Sequence, residues 1–269
     1  MEPEEILSAI IAAIKGPRED QADLLMTFDN VTPANAELIH DTLNNELNQL
    51  ERRRYKFSYN SAKETLSIVL PTGLHGCGMS WIASSIISWH LENLVPLSCR
   101  TDFAMMGRKT YKNFESPYQR SIKQADVVLE RRNRGAGQGF QSLRHKQPIL
   151  VLEVGWSEPW TQLQEDRELW SQGTEEPVVV ILIKFFRSQS GTRGFVEVSS
   201  VRNEELVVQR KTIWPIPDEA QEDPYLLLGE LYGNALPEGF DPSTRLPLLL
   251  SELRDWARDQ LADIGLSSA

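Results

Sequence analysis

The chain has 269 residues, of which 41% are hydrophobic and 25% are charged, a composition that supports a buried core and excludes wholesale disorder. Its net charge of −10 excludes a surface coated uniformly with cations for nucleic acid. No apolar run reaches the roughly 20 residues that span a bilayer, and the two cysteines lack metal-ligand spacing, so we expect an intracellular protein, cytoplasmic or nuclear, without membrane contact.

The first 54 residues predict a helical cap on the rest of the chain. Residues 4–15 have the pattern of an amphipathic helix, which Gly16 and Pro17 end. Thr32 is placed to cap a second helix that begins at the next residue, a proline, and runs to about residue 50. Neither helix carries side chains in an arrangement that predicts chemistry.

The next segment predicts a hairpin followed by an apolar helix. Residues 55–59 and 65–70 are short strand patterns separated by a polar turn. A glycine-rich turn that contains His75 then leads into a helix over residues 77–94. Because apolar side chains occur on most of its surface, we expect this helix to be a central packing element.

A basic segment follows, over residues 100–146. It contains eleven Lys or Arg against four Asp or Glu, a net charge of +7 in a chain that is acidic overall. One predicted strand, at residues 97–105, overlaps the start of this segment, and a second, at residues 125–130, lies within it. Such an asymmetry is typical of a surface that contacts a polyanion, although the same cations could pair with acids elsewhere in the chain.

Residues 148–186 form the stretch around which the chain is organised. Two continuous apolar strands, at residues 148–153 and 178–186, flank a helix at residues 160–171. Continuous apolar strands are typical of a sheet covered by helices on both faces, and the helix is long enough for a crossover between parallel strands. Glu153 ends the first of these strands, where α/β proteins usually place ligands or chemistry.

The C-terminal part predicts two antiparallel strands, at residues 194–201 and 206–214, and a closing helix that ends near residue 261. An acidic, proline-rich connector separates the strands from that helix. We therefore divide the chain into an N-terminal cap (1–54), a core (55–216) and a C-terminal extension (217–269).

The order of the central elements is helix, three strands, helix and strand, with Asp126 near the start of the second strand and Glu153 at the end of the third. This αβββαβ order resembles the PD-(D/E)XK nuclease superfamily, whose fold is the restriction-endonuclease-like α/β core with a mixed central sheet flanked by helices. Residues 55–214 are similar in more detail to a group of uncharacterised fungal members that carry a Glu-Val-Gly-x-Ser-Glu segment, here residues 153–158. The other shared positions are Leu163, Asp166, Trp170, Lys184 and the turn with His75.

The resemblance implies a Mg²⁺- or Mn²⁺-dependent nuclease that acts on DNA. Asp126 and Glu153 are the expected metal ligands, with the carbonyl oxygen of Val154 as a further candidate, because hard cations prefer oxygen donors. The metal would polarise a phosphoryl oxygen and supply hydroxide. The alternative is a catalytically inactive module that retains the fold and binds nucleic acid or another partner.

The sequence departs from the superfamily pattern at Gly155, where the signature lysine is expected. Two cations are candidates to replace that lysine. Lys184 lies on a buried strand, where its pKa can shift, or it extends to solvent. Arg167 lies on the helix face that packs on the sheet and is suited only to holding charge, or it pairs with an acid. His75 is expected either to line the cleft or to cap the helix that follows it.

Five cations near the end of the basic segment are the expected contacts to DNA phosphates. Phosphate contacts of this kind position nucleic acid without reading its sequence. The sequence leaves the oligomeric state open. These five residues are Arg131, Arg132, Arg134, Arg144 and Lys146.

Overall fold

A computed structural model describes residues 2–17, 23–52, 54–132, 147–236 and 238–269, and these ranges contain seven α-helices and thirteen β-strands. The helices are α1 (Pro3–Lys15), α2 (Pro33–Glu46), α3 (Gln49–Arg52), α4 (Gly76–Leu91), α5 (Trp160–Gln172), α6 (Leu228–Tyr232) and α7 (Leu250–Asp263). The strands are β1 (Leu24–Phe28), β2 (Lys56–Asn60), β3 (Thr65–Leu70), β4 (Phe103–Met106), β5 (Thr110–Tyr111), β6 (Ile122–Gln124), β7 (Val127–Arg131), β8 (Leu150–Gly155), β9 (Val179–Ser188), β10 (Gly191–Arg202), β11 (Glu205–Trp214), β12 (Tyr225–Leu227) and β13 (Arg245–Pro247).

The larger sheet has six strands in the order β11-β10-β9-β8-β7-β4. Strands β8 and β9 are parallel, while the other neighbouring strands of this sheet are antiparallel. Helix α5 connects the parallel pair, as the two continuous apolar runs predicted. The α/β class and a mixed sheet flanked by helices are therefore confirmed.

Alternation along β8 determines what each face of this sheet contacts. Leu150, Leu152 and Val154 belong to the apolar cluster formed with α4 and α7. Val151 belongs to a second cluster, formed with α5, and Glu153 points to that same side because side chains alternate along a strand. Both faces are covered, which explains why the strand sequence is apolar apart from Glu153.

A smaller sheet has five strands in the order β1-β3-β2-β6-β5. One face of this sheet is apolar: Phe57, Tyr59 and Ile68 form a buried cluster with Ile10 of α1 and Ile39 of α2. The alternating positions of β2, such as Lys56 and Ser58, point away from that cluster, yet they are buried as well. The sheet therefore has two buried faces of opposite chemistry.

Several predicted elements need correction. The strand expected at residues 97–105 begins only at Phe103, because Leu97–Cys99 forms a 3₁₀ turn after Pro96. Helix α4 ends at Leu91 and not at residue 94, since Asn93 takes a left-handed backbone conformation with φ of 57°.

The third correction concerns the N-terminal cap, which is not purely helical. Strand β1 lies within it and pairs with β3, so residues 24–28 extend the sheet that begins in the predicted core. In the part of the chain that the structure describes, no helix combines the length and the apolar character needed to cross a membrane.

Candidate functional site

Asp126 and Glu153 lie side by side and face one cation. Val127 of β7 pairs with Leu152 of the antiparallel strand β8, which places Asp126, the residue just before β7, next to Glu153. The ammonium Nζ of Lys56 lies 3.1 Å from Asp126 Oδ2 and 3.1 Å from Glu153 Oε2. The two acids therefore converge as the sequence predicted, but the cation between them is a lysine side chain from β2.

Lys56 was not identified from the sequence. Its side chain is fully buried, and a buried ammonium requires compensation by acids. The signal was present in β2, where Lys56 and Ser58 alternate with the buried aromatic residues Phe57 and Tyr59. A lysine at such a position is either exposed on an open face or paired inside a covered one, and the sequence does not show which.

A second buried lysine, Lys123 of β6, extends the ion pairs toward α5. Its Nζ lies 2.5 Å from Asp166 Oδ2 and 3.5 Å from Glu153 Oε1, and it donates a hydrogen bond to Ser58 Oγ at 3.0 Å. Trp170 Nε1 also donates to Glu153 Oε1, at 3.0 Å. Two residues of the predicted helix motif, Asp166 and Trp170, thus contact the site.

His75 joins Asp126 to the N-terminal region. Its Nδ1 lies 3.0 Å from Asp126 Oδ1, and its Nε2 lies 2.8 Å from Asp23 Oδ2. Burial alone would lower the pKa of His75, but the carboxylates of Asp126 and Asp23 outweigh burial and raise the pKa to about 10. His75 is therefore an imidazolium at neutral pH, and both of its ring nitrogens donate.

These contacts move the pKa values of the site in opposite directions. Burial opposes ionisation of Asp126, but Lys56 and His75 outweigh it and hold the pKa of Asp126 far below its ordinary value. Burial also opposes the charge on Lys56, yet the surrounding acids raise its pKa well above 10.5. Glu158 Oε1 lies 3.7 Å from Lys56 Nζ, and burial raises the pKa of Glu158 to about 7. We call Asp23, Lys56, His75, Lys123, Asp126, Glu153, Glu158 and Asp166 the buried ion network.

Lys184 and Arg167, the two candidates to replace the signature lysine, make other contacts. Lys184 Nζ donates to the carbonyl oxygens of Trp156 and Glu158, at 2.8 and 2.6 Å, and burial lowers its pKa. Arg167 Nη1 lies 2.6 Å from Glu197 Oε1 on β10. Lys184 thus stabilises the turn after β8, and Arg167 has the acidic partner that the sequence left open.

At Gly155, the position of the signature lysine, the packing of α5 on β8 leaves no space for a side chain. A Cβ atom added to Gly155 would lie 2.6 Å from Leu163 Cδ1 of α5, which is closer than two such carbon atoms approach. Any side chain at residue 155 would require the buried side chain of Leu163 to move. Lys56, which lies on β2, places its ammonium next to the carboxylates of Asp126 and Glu153.

In this arrangement the carboxylate oxygens of Asp126 and Glu153 are not free to bind a divalent cation. Asp126 Oδ1 contacts His75, and Asp126 Oδ2 accepts from both Lys56 and the amide of Val154, at 2.8 Å for the amide. Both oxygens of Glu153 also accept from N–H groups. Val154 thus donates its backbone amide to Asp126, whereas the sequence predicted that its carbonyl oxygen would bind a metal. Across the described ranges, no group of three or more His, Cys, Asp or Glu side chains is arranged to hold a metal.

Several cations of the basic segment form contacts within the protein. At least four of its eight described cations form ion pairs, so the alternative of pairing with acids holds for these four. Arg131 Nη1 donates to the carbonyl oxygen of Tyr232, and Arg132 is exposed. Arg134, Arg144 and Lys146 lie outside the described residues. The four ion pairs are Lys109–Glu130, Lys112–Asp41, Arg120–Glu37 and Lys123–Asp166.

A cavity of about 370 Å³ reaches the edge of the buried ion network. His75, Ser80, Arg108 and Asp126 contribute to its wall, so Asp126 is the member of the acid pair that lies closer to solvent.

Comparison with known proteins adds no family to these observations. No protein-family model matches the chain, and no curated protein is significantly similar to it.

Proposed function

We propose that this chain is a nuclease-like module that does not hydrolyse phosphodiesters, because the ammonium of Lys56 takes the place of the divalent cation between Asp126 and Glu153. The observation that carries the proposal is the pair of 3.1 Å contacts from Lys56 Nζ to the two carboxylates. The partner we propose for the module is nucleic acid, through the exposed part of the basic segment.

The relation to the PD-(D/E)XK superfamily is supported by the order of the elements around the acids. Helix α4 precedes the antiparallel strands β4, β7 and β8, and α5 then leads to β9, which is parallel to β8. Asp126 directly precedes β7 and Glu153 lies on the neighbouring strand β8, close to the placement that the resemblance implies.

The loss of hydrolysis is supported by the energetics of the buried ion pairs. A metal ion would have to displace Lys56, whose side chain is fully buried and whose pKa is raised, so that it does not leave as a neutral amine. Removing one partner of a buried ion pair typically costs about 3–5 kcal/mol. Mg²⁺ also retains several waters in its octahedral shell, and the four carboxylate oxygens already accept from N–H groups.

Plasmid cleavage in Mg²⁺ and in Mn²⁺ tests this proposal. We expect no cleavage above that of the Asp126→Asn variant in either metal, at any protein concentration. Cleavage in Mn²⁺ that Asp126→Asn or Glu153→Gln abolishes would contradict the proposal.

The partner is tested by the salt dependence of DNA binding. Arg132→Glu should weaken binding and flatten its dependence on salt, because fewer counterions are released. Arg193→Glu, on the exposed part of β10, is the matched control and should leave binding unchanged. An equal loss in both variants would indicate unspecific attraction to the chain as a whole.

A metal-dependent nuclease is the second candidate, and one observation favours it. The cavity that reaches Asp126 gives a ligand access to the edge of the acid pair. In that case the acids would hold Mg²⁺ or Mn²⁺ after Lys56 had moved aside. The cleavage experiment distinguishes the two candidates.

A further inference from the structure

Strand β11 forms one edge of the main sheet, where it pairs with β10 alone among the described strands. At Thr212 the backbone amide and carbonyl point away from β10 and bond to the side chain of Gln221. The amide donates to Gln221 Oε1 at 3.1 Å, and the carbonyl oxygen accepts from Gln221 Nε2 at 2.5 Å. Because these directions alternate along an antiparallel strand, the amides and carbonyls of Arg210, Val208 and Leu206 also point outward from the edge.

This part of the edge is open in the described portion of the chain. On the side away from β10, the backbone groups of Leu206, Val208 and Arg210 form no hydrogen bond with another described backbone group. The side chains of Leu206 and Val208 are 53% and 42% exposed. The guanidinium of Arg210 lies over the ring of Phe195 on β10, 3.7 Å from its centroid, so it is held over its own sheet. An edge with open backbone groups and exposed apolar side chains is a template for pairing with another strand.

The charges of β11 make the strand complementary to a second copy of itself. Its first residue is Glu205, and its two cations, Arg210 and Lys211, lie in its second half. An antiparallel pair centred on Val208 places Glu205 of each chain opposite Lys211 of the other, since each pair of opposed residues is then equally far from the centre. Opposite charges that face each other across two antiparallel strands stabilise their pairing. The occupant that this edge fits is therefore the same strand of a second chain.

We propose that two copies of this chain associate through antiparallel pairing of their β11 strands, which joins the two main sheets into one. The twofold axis passes through Val208. Leu206 of each chain then pairs with Arg210 of the other, and the outward backbone groups of these residues and of Val208 exchange about six hydrogen bonds. Strands β9 and β10 separate this edge from β8 and the buried ion network, so the association is independent of the proposed function.

Sedimentation velocity of the full chain over a range of concentrations tests the association. We expect a reversible increase from the mass of one chain to the mass of two. The dissociation constant should lie in the micromolar range, because one pair of strands buries less area than a stable interface usually does. The mass of a single chain at every concentration up to the millimolar range would overturn the proposal.

Charge reversal at the two ends of β11 tests the register. Glu205→Lys and Lys211→Glu each place like charges opposite each other at both ends of the pair, so each variant alone should have a dissociation constant raised about tenfold. A mixture of the two variants restores opposite charges at both ends and should associate about as tightly as the wild type. Unchanged association of the single variants, or a mixture that associates no better than either variant alone, would overturn the proposal.

Val208→Asp decides the question if a charge-reversed variant fails to fold, as thermal melting would show. It places two carboxylates opposite each other at the twofold axis and should also raise the dissociation constant about tenfold. Val201→Asp is the matched control, because Val201 is 39% exposed and points to the same face of the sheet but lies on β10, inside the edge. This variant should associate nearly as the wild type does. Equal losses in the two variants would show that the exposed face, and not the strand edge, forms the contact, which would overturn the proposal.

Discussion

The two faces of strand β2 are equally buried but are stabilised in different ways. Phe57 faces helices α1 and α2 in an apolar cluster, while Lys56, one residue earlier, faces three carboxylates across to the main sheet. Both side chains are fully buried. The apolar face gains from the area removed from water, whereas the ionic face depends on the presence of every partner. Burial alone therefore does not show how a residue on a strand contributes to the stability of the fold.

The largest expected effect comes from removing the central cation. Lys56→Met keeps the length of the side chain but leaves Asp126 and Glu153 without their shared partner, so we expect a loss of about 3–5 kcal/mol in the free energy of unfolding. Urea denaturation measures this loss. It should shrink on acidification, because the pKa of Asp126 is lowered in the folded state and its contribution disappears as the carboxylate is protonated.

Lys63→Met is the matched control for this variant. Lys63 also pairs with an acid, Glu165, but the two side chains are 46% and 38% exposed. A pair in contact with water contributes at most about 1 kcal/mol. Equal losses in the two lysine variants would show that the interior position of Lys56 is unimportant.

The second prediction concerns pH and the same ionic face. Burial raises the pKa of Glu158 to about 7, above its ordinary value of 4.5, so the folded state binds a proton more tightly than the unfolded state. This contribution to stability is complete below pH 4.5 and is lost as the pH rises to about 7. Glu158→Gln should therefore flatten the decline in unfolding free energy across this interval, by about 3 kcal/mol. Parallel pH profiles of the two proteins would contradict this prediction.

The third prediction concerns the packing of α5 against β8, next to the ion network. Gly155→Ala should cost about 1–3 kcal/mol, because the added Cβ meets Leu163 at 2.6 Å. Gly76→Ala, at the start of α4, has no atom within 4 Å of the added Cβ and should be neutral or stabilising. Thermal unfolding of both variants tests whether the signature lysine is excluded by packing.

The smallest effect is expected on the apolar face of the smaller sheet. Ile68→Val removes one buried methyl group and should cost about 1 kcal/mol. Because no titrating group is involved, this cost should be the same at pH 4 and pH 8. A strong pH dependence would mean that the two faces of the sheet are energetically coupled.

The sequence predicted the elements whose signal is local. Strands β8 and β9 were identified from continuous apolar runs, and the side-by-side placement of Asp126 and Glu153 was implied by the resemblance to PD-(D/E)XK nucleases. Lys56 was missed because its partners lie 70 and 97 residues away and its strand pairs with β6, which has only three residues. The pairing of β2 with so short a strand leaves no recognisable pattern in the sequence from which the partners of Lys56 could be predicted.

Asp23 was missed for a similar reason. It lies 52 residues before His75, in a segment that the sequence assigned to a helical cap without chemistry. Lys184 and Arg167 are the sequence candidates because one lies on the buried strand next to Glu153 and the other on the helix face that packs on the sheet, but neither placement determines which carboxylate a cation reaches. Charged pairs formed between sheets require the tertiary structure.

Binding of Mn²⁺, followed by electron paramagnetic resonance of the free ion, tests most directly whether Lys56 holds the place of a metal. We predict that the wild-type chain binds no stoichiometric Mn²⁺ at neutral pH and that its titration matches that of Asp126→Asn. Saturable binding of one Mn²⁺ per chain, lost in Asp126→Asn, would contradict this prediction and restore the metal-dependent nuclease.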